Sequence, residues 1–242
     1  MKRATKNTIT HNNKAVKQSV LNQIENVFLA STNNYAYAKG IARLRRIQKQ
    51  YPHLLKSEDF LMKLGMLHDH VAMGERGAKK ARIEKQALAL YKKTLTLYPQ
   101  SHRAWWGIGR VWWHRGSKKA LPYAKKARAL VIKKHNPSAL YTQNIGLIYE
   151  RLGKYKLAER WLLKGLAENS NDWSLYLNII NLYRLTHQFK NARKYAETLE
   201  PLFKKENQKL KQSLWGIKIK ECIRNAGKPL ALAQTKAQKK RG

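Results

Sequence analysis

The sequence predicts an all-α protein built as an array of helical hairpins. Gly146, Tyr149 and Ala158 recur 34 residues later as Ile180, Tyr183 and Ala192, and self-similarity at a fixed period of this size is the mark of stacked helical repeats. The apolar pattern yields ten helices or more and no strand. Turn residues, among them Gly116, Gly153 and Pro99, punctuate the helical stretches. With 242 residues and 43% apolar side chains, the chain is long enough to bury a real core.

The clearest unit is NIGLIYERLGKYKLAERWLLKGL, residues 144–166. Small Gly146 allows the two helices of a hairpin to approach, Tyr149 fills the space beside it, Gly153 supplies the turn, and Ala158 stands where the second helix crosses the first. This segment resembles the tetratricopeptide repeat (TPR) almost position for position. The next unit, NIINLYRLTHQFKNARKYAETL, keeps the spacing but has Ile180 where the family has Gly, which predicts looser packing there. The resemblance implies a right-handed α-solenoid of about five TPR-like helical hairpins with a C-terminal capping helix, its first helices lining a concave groove.

Taken in order, residues 1–12 read as a disordered basic N-terminus and 13–52 as a divergent helical hairpin, with Ala15, Val20, Ile24 and Val27 on an amphipathic face. TPR-like repeats then occupy 53–204. Leu61, Leu64, Gly65 and His68 mark one first helix, and about ten extra residues around ERGAKKARIE lengthen the link to KQALALYKKTLTLYP, which Pro99 closes. Trp105, Ile108, Gly109 and Trp112 mark the next first helix, with Gly116 as its turn and Ala120, Ala124 and Ala127 on the helix that follows. Pro122 fits if that helix begins near Lys118 or Lys119, because first-turn N–H groups lack partners anyway. Residues 205–224 predict a capping helix with Leu210, Leu214 and Ile217 on one face, since an array's last repeat cannot bury its apolar face alone. Residues 225–242, rich in Ala, Gln and Lys, read as a disordered basic tail.

Fifty basic and fourteen acidic residues give a net charge of +36, a balance that speaks to partners. Between Glu84 and Glu150 there is no acid, yet thirteen Lys or Arg and four Trp. Arg103, Trp106, Arg110 and Trp113 lie at spacings of three, four and three, one helical stripe. The TPR resemblance turns that stripe into the groove, where a guanidinium beside an indole could grip phosphate or carboxylate. Lys118, Lys119, Lys125, Lys126, Lys133 and Lys134 recur every seven residues on a second face. Arg43, Arg45, Arg46 and Lys49, and later Lys204, Lys205, Lys209 and Lys211, continue the bias. Docking on backbone phosphates would account for the whole set without reading sequence.

Other roles find less support. The carboxylate clamp of chaperone-binding TPR domains is present only in fragments, with Met62, Met66, Asn144 and Arg103 at the corresponding positions and Gly107 where a basic residue belongs. No HExxH spacing, glycine-rich phosphate loop or nucleophile signature occurs. His68 and His70, two apart on a helix, point in different directions, and His68 reads as a core residue. One cysteine, Cys222, excludes an intrachain disulfide and a multi-cysteine metal site, and reads as a small buried hydrophobe. No stretch reaches the roughly 20 apolar residues of a membrane span, and the N-terminus lacks a signal core. The expectation is therefore a soluble, cytoplasmic, non-catalytic scaffold without cofactor or metal that docks on a polyanion, RNA above all, DNA or a ribonucleoprotein, and mediates protein–protein interaction through its groove. A protein-only adaptor for an acidic peptide or subunit is the alternative, and an anionic membrane surface a third option.

Overall fold

A computed structural model describes residues 2–133, 138–206 and 208–229, all of them helical or in the connections between helices. The chain divides into two compact units, Met1–Leu130 and Val131–Gly242.

In the first unit α1 (Lys2–Asn33) pairs with α2 (Tyr37–Gln50), and a short 3-10 turn, Pro52–Lys56, leads into α3 (Glu58–Met73) and α4 (Gly77–Leu97). The helix α5 (His102–His114) and the bulk of α6 (Ala120–Lys133) complete it. No Gly or Pro interrupts residues 1–33, and α1 begins at Lys2, so residues 2–12 of the segment read from the sequence as disordered lie in that helix. Val20 and Ile24 bring α1 against Leu44, Phe60, Leu64 and Leu67, which makes one apolar core. A second forms from Met62, Ala87, Tyr91, Ala104, Ile108 and Val111. The residues around ERGAKKARIE lengthen a helix and not a link: the turn is only Gly74–Arg76, and α4 takes up the rest over 21 residues. Their Ala and Lys content favours helix, and Glu75 pairs with Lys79 at 2.7 Å across the helix start. Pro122 falls in the first turn of α6, which starts at Ala120.

Tyr91 ties the first unit together. It is fully buried on α4, and a Cβ added at Gly65 of α3 or Gly107 of α5 would sit 2.7 Å from its ring. Two glycines on successive first helices thus make room for one aromatic ring of the second helix between them. Gly107 is therefore a packing position, and not merely one that lacks a basic residue.

In the second unit α7 (Ala139–Arg151) pairs with α8 (Tyr155–Glu168), and α9 (Trp173–Leu185) with α10 (Phe189–Lys204). A Cβ on Gly146 would meet Leu162 at 2.8 Å, so the close approach read from the sequence is real. Ile180, where looser packing is expected, is fully buried. Ala196 stands 34 residues after Leu162, so the Gly and Leu positions of one repeat carry Ile and Ala in the next, and the small residue changes helix. The turn positions follow the same register. Gly153 has φ +71 and its counterpart His187 has φ +59, both left-handed.

The expected capping helix 205–224 is two helices, α11 (Gln208–Gln212) and α12 (Leu214–Arg224). Ser213 breaks them: its Oγ accepts from the Gly216 amide at 3.2 Å and starts a new helix. Ile217, placed on the buried face by the sequence reading, is 55% exposed, whereas Ile219, Cys222 and Ala226 are buried. Leu210 and Leu214 have no described side-chain environment. The helix α12 packs on α9 and α10, where Arg184 donates to the carbonyls of Lys228 at 3.0 Å and Pro229 at 3.3 Å. The tail from residue 230 onward lies outside the described residues. Among the described residues no helix is long and apolar enough to cross a membrane.

Candidate interaction site on the third hairpin

The hairpin α5–α6 holds both candidate surfaces. Helix α5 starts where Ser101 Oγ accepts from the Ala104 amide at 3.2 Å, and Gly109 lets it approach Tyr123 and Ala124 of α6. Trp105 and Trp112 go to packing, as the repeat pattern requires: Trp105 lies 5.9 Å from the Tyr123 ring and donates from Nε1 to the Pro99 carbonyl at 3.0 Å.

The stripe Arg103–Trp106–Arg110–Trp113 is where the structure departs most from the sequence reading. Both arginines are met by carboxylates of α3. Arg103 Nη1 lies 3.3 Å from Asp59 Oδ1. Arg110, its side chain only 16% exposed, donates from Nε to Asp69 Oδ2 at 2.5 Å and from Nη2 to the Tyr91 hydroxyl at 3.4 Å. Burial opposes charge on Arg110, but the neighbouring Tyr91 and Asp69 oxygens outweigh it and raise its pKa. Burial also pushes the Tyr91 hydroxyl up. Arg115, just beyond α5, pairs with the buried Glu84 at 2.7 Å. The acid-free window thus borrows its acids from the preceding hairpin, at Asp59, Asp69 and Glu84. No spacing rule connects residues 41 or 44 positions apart on different helices, so these partners are invisible in the sequence.

What remains of the stripe is aromatic. The Trp106 and Trp113 rings, both partly buried, lie 6.3 Å apart, and Trp113 also faces His114 at 5.0 Å. Trp113 Nε1 is buried and has no hydrogen-bond acceptor among the described residues. His68 is buried between helices, as the sequence reading holds. Burial first, then the Arg45 charge, brings its pKa down to about 4. His70 turns the other way and stacks on Tyr37 with ring centres 4.7 Å apart.

The lysine face behaves differently. Lys118 and Lys119 sit in the turn before α6, and Lys125, Lys126 and Lys133 on the helix; all five are exposed. Lys119 Nζ and the Arg115 guanidinium both lie over the Trp112 ring, at 5.0 and 4.9 Å from its centre. Among the described residues no carboxylate pairs with any of the five lysines. Lys134 lies outside the described residues. Elsewhere, Lys204 is taken up by Glu200 at 2.9 Å, and Lys211 Nζ donates to the Lys204 carbonyl at 2.7 Å. The arginines of α5 and its turn are therefore internally matched, whereas Lys118, Lys125, Lys126 and Lys133 are left to solvent.

No family model and no curated protein sequence matches the chain. Solved structures do resemble it in fold. PilW, described as a widely conserved type IV pilus biogenesis factor, aligns at TM-score 0.58 and 17% identity over 85% of this chain and 88% of its own. PilF of Pseudomonas aeruginosa aligns at 0.57 and 18% over 87% of this chain and 88% of its own. A thermophilic TPR protein of Thermus thermophilus, TTC0263, aligns at 0.57 and 16% over 84% of this chain and 98% of its own. The fold is that of the tetratricopeptide-repeat proteins.

Proposed function

We propose that the protein is a non-catalytic interaction scaffold that docks on a polyanion, RNA or a ribonucleoprotein, through the lysines of the α5–α6 hairpin. One observation carries this reading: in a segment without acids, every arginine of α5 has a carboxylate partner, whereas Lys118, Lys125, Lys126 and Lys133 have none among the described residues. Structural pairing cannot be the reason for keeping those lysines. Phosphate contacts made by flexible, hydrated ammonium groups are sequence-blind. The test is a salt titration of binding to duplex RNA by nuclease-treated protein. Replacing Lys118, Lys119, Lys125 and Lys126 by Ala should lower the slope of log affinity against log salt by about 0.9 for each phosphate that is no longer neutralised. An unchanged slope, or no retention of RNA at low salt, would sink the reading.

A second reading has its own support. The partly buried Trp106–Trp113 pair sits on a first helix of a repeat fold, and stacked repeats present extended binding surfaces. A protein-only adaptor for an acidic peptide or subunit would use those rings together with nearby lysines. Its signature would be binding that survives nuclease and is lost with Trp106→Ala and Trp113→Ala at little cost to helicity.

A further inference from the structure

Rings and unpaired cations also meet at the start of α2, away from the α5–α6 hairpin. Tyr35, in the turn between α1 and α2, is 69% exposed and has φ +53. Equivalent turns after later first helices use Gly116 and Gly153, with φ +65 and +71, and in one repeat His187, with φ +59; left-handed backbone strains a bulky side chain. A tyrosine that is strained and points to solvent contributes nothing to the core. Its ring stands edge-on to Tyr37 at 6.1 Å, and Tyr37 lies flat against His70, 12° from parallel. Burial and the Arg110 charge lower the His70 pKa, which keeps that supporting ring neutral.

From this platform α2 runs on with Lys39, Arg43 and Arg46 at spacings of four and three, one stripe, all exposed. Lys49 is exposed on the same helix. Residues 37–50 contain no acid, and among the described residues none of these cations has a carboxylate partner. Two of the three α3 carboxylates are already used: Asp59 and Asp69 serve Lys63, Arg103 and Arg110.

We infer that Tyr35 and the Lys39–Arg43–Arg46 stripe form a binding site for single-stranded nucleic acid, a base stacking on Tyr35 and the flanking phosphates lying along α2. This rests on the polyanion reading and extends it to a second surface and a strand type. A duplex keeps its bases stacked inside and cannot use the ring. The Asp and Glu side chains of an acidic peptide would use the cations but carry no ring to lay on the tyrosine, whereas every nucleobase has a π-face.

The test is anisotropy titration of the full chain with three fluorescein-labelled probes: an oligouridylate of about 12 nucleotides, a duplex RNA of similar length, and an oligoglutamate peptide. Tyr35→Ala should weaken oligouridylate binding about 5- to 150-fold, the range expected for removing one stacked base, while Tyr35→Phe and duplex binding stay within about twofold. Arg43→Ala and Arg46→Ala should each reduce the salt slope for the single strand by about 0.7. Tyr35→Gly guards against a folding artefact, because it relieves the turn: it should lose binding like Tyr35→Ala yet melt no lower than the parent. The proposal is overturned if oligouridylate affinity is indifferent to Tyr35→Ala and Tyr35→Gly, or if oligoglutamate binds as tightly with the same Tyr35 sensitivity. In either case duplex RNA binding that persists leaves the polyanion reading standing, and its absence removes both.

Discussion

Residue 187 is a histidine where the preceding repeat has Gly153, and both are left-handed. The shared register makes a direct comparison possible. Gly153→Ala should destabilise the protein by roughly 1–2 kcal/mol in thermal or urea unfolding, the cost of a side chain in that backbone. His187→Gly should stabilise it by a smaller amount, about 0.5–1 kcal/mol, because glycine gives back part of the gain as unfolded-state entropy. A second histidine controls pH response. His68 is buried with its pKa lowered from 6.5 to about 4. The unfolded chain binds a proton there below pH 6.5 and the folded one does not until near 4, so stability falls as pH drops through that window. The loss should approach 1.4 kcal/mol per pH unit at most, and His68→Leu should flatten it. A stability curve unchanged by that substitution between about pH 7 and 4.5 would show that His68 does not set the acid limit.

At the scale of helices, the α3–α5 contact rests on a buried ion pair as much as on apolar surface. Asp69 is 1% exposed, and Arg110 reaches it beside the Tyr91 hydroxyl. Arg110→Ala should cost roughly 3–5 kcal/mol in denaturant unfolding, because it strands a buried carboxylate. The double change Arg110→Met with Asp69→Leu should recover most of that loss. A large deficit in the double variant would mean that the pair itself, and not the stranded charge, holds the helices. Part of this hairpin packing is legible in the sequence and the rest is hidden. Gly109, Gly116, Gly146 and Gly153 are read correctly because their roles depend on neighbours within one hairpin, at fixed offsets. Asp59, Asp69 and Tyr91 act between hairpins, where inserted residues such as those at the start of α4 shift the register and no local spacing survives. The Arg–Trp stripe is therefore visible as a face, but nothing local assigns its arginines to their acids in place of a ligand. The break at Ser213 escapes the sequence for another reason: the cap is one hydroxyl, and the Leu210–Leu214–Ile217 pattern outweighs it.

For the molecule as a whole, a charge of +36 means that the folded chain repels itself over distances comparable with the screening length, about 10 Å at 0.1 M salt. Melting temperature should therefore rise as sodium chloride is raised from low ionic strength, even though the paired residues of α3, α4 and α5 lose some attraction. A steady fall would show that those pairs outweigh the surface repulsion. The borrowing of acids also bears on how such a chain can change over generations. The α5 arginines depend on carboxylates one hairpin earlier, so the third hairpin is not an interchangeable module. Deleting, duplicating or transplanting it by itself would leave Arg103, Arg110 and Arg115 with no counter-charge at the new junction. Any shuffling would here have to move at least the second and third hairpins as a block.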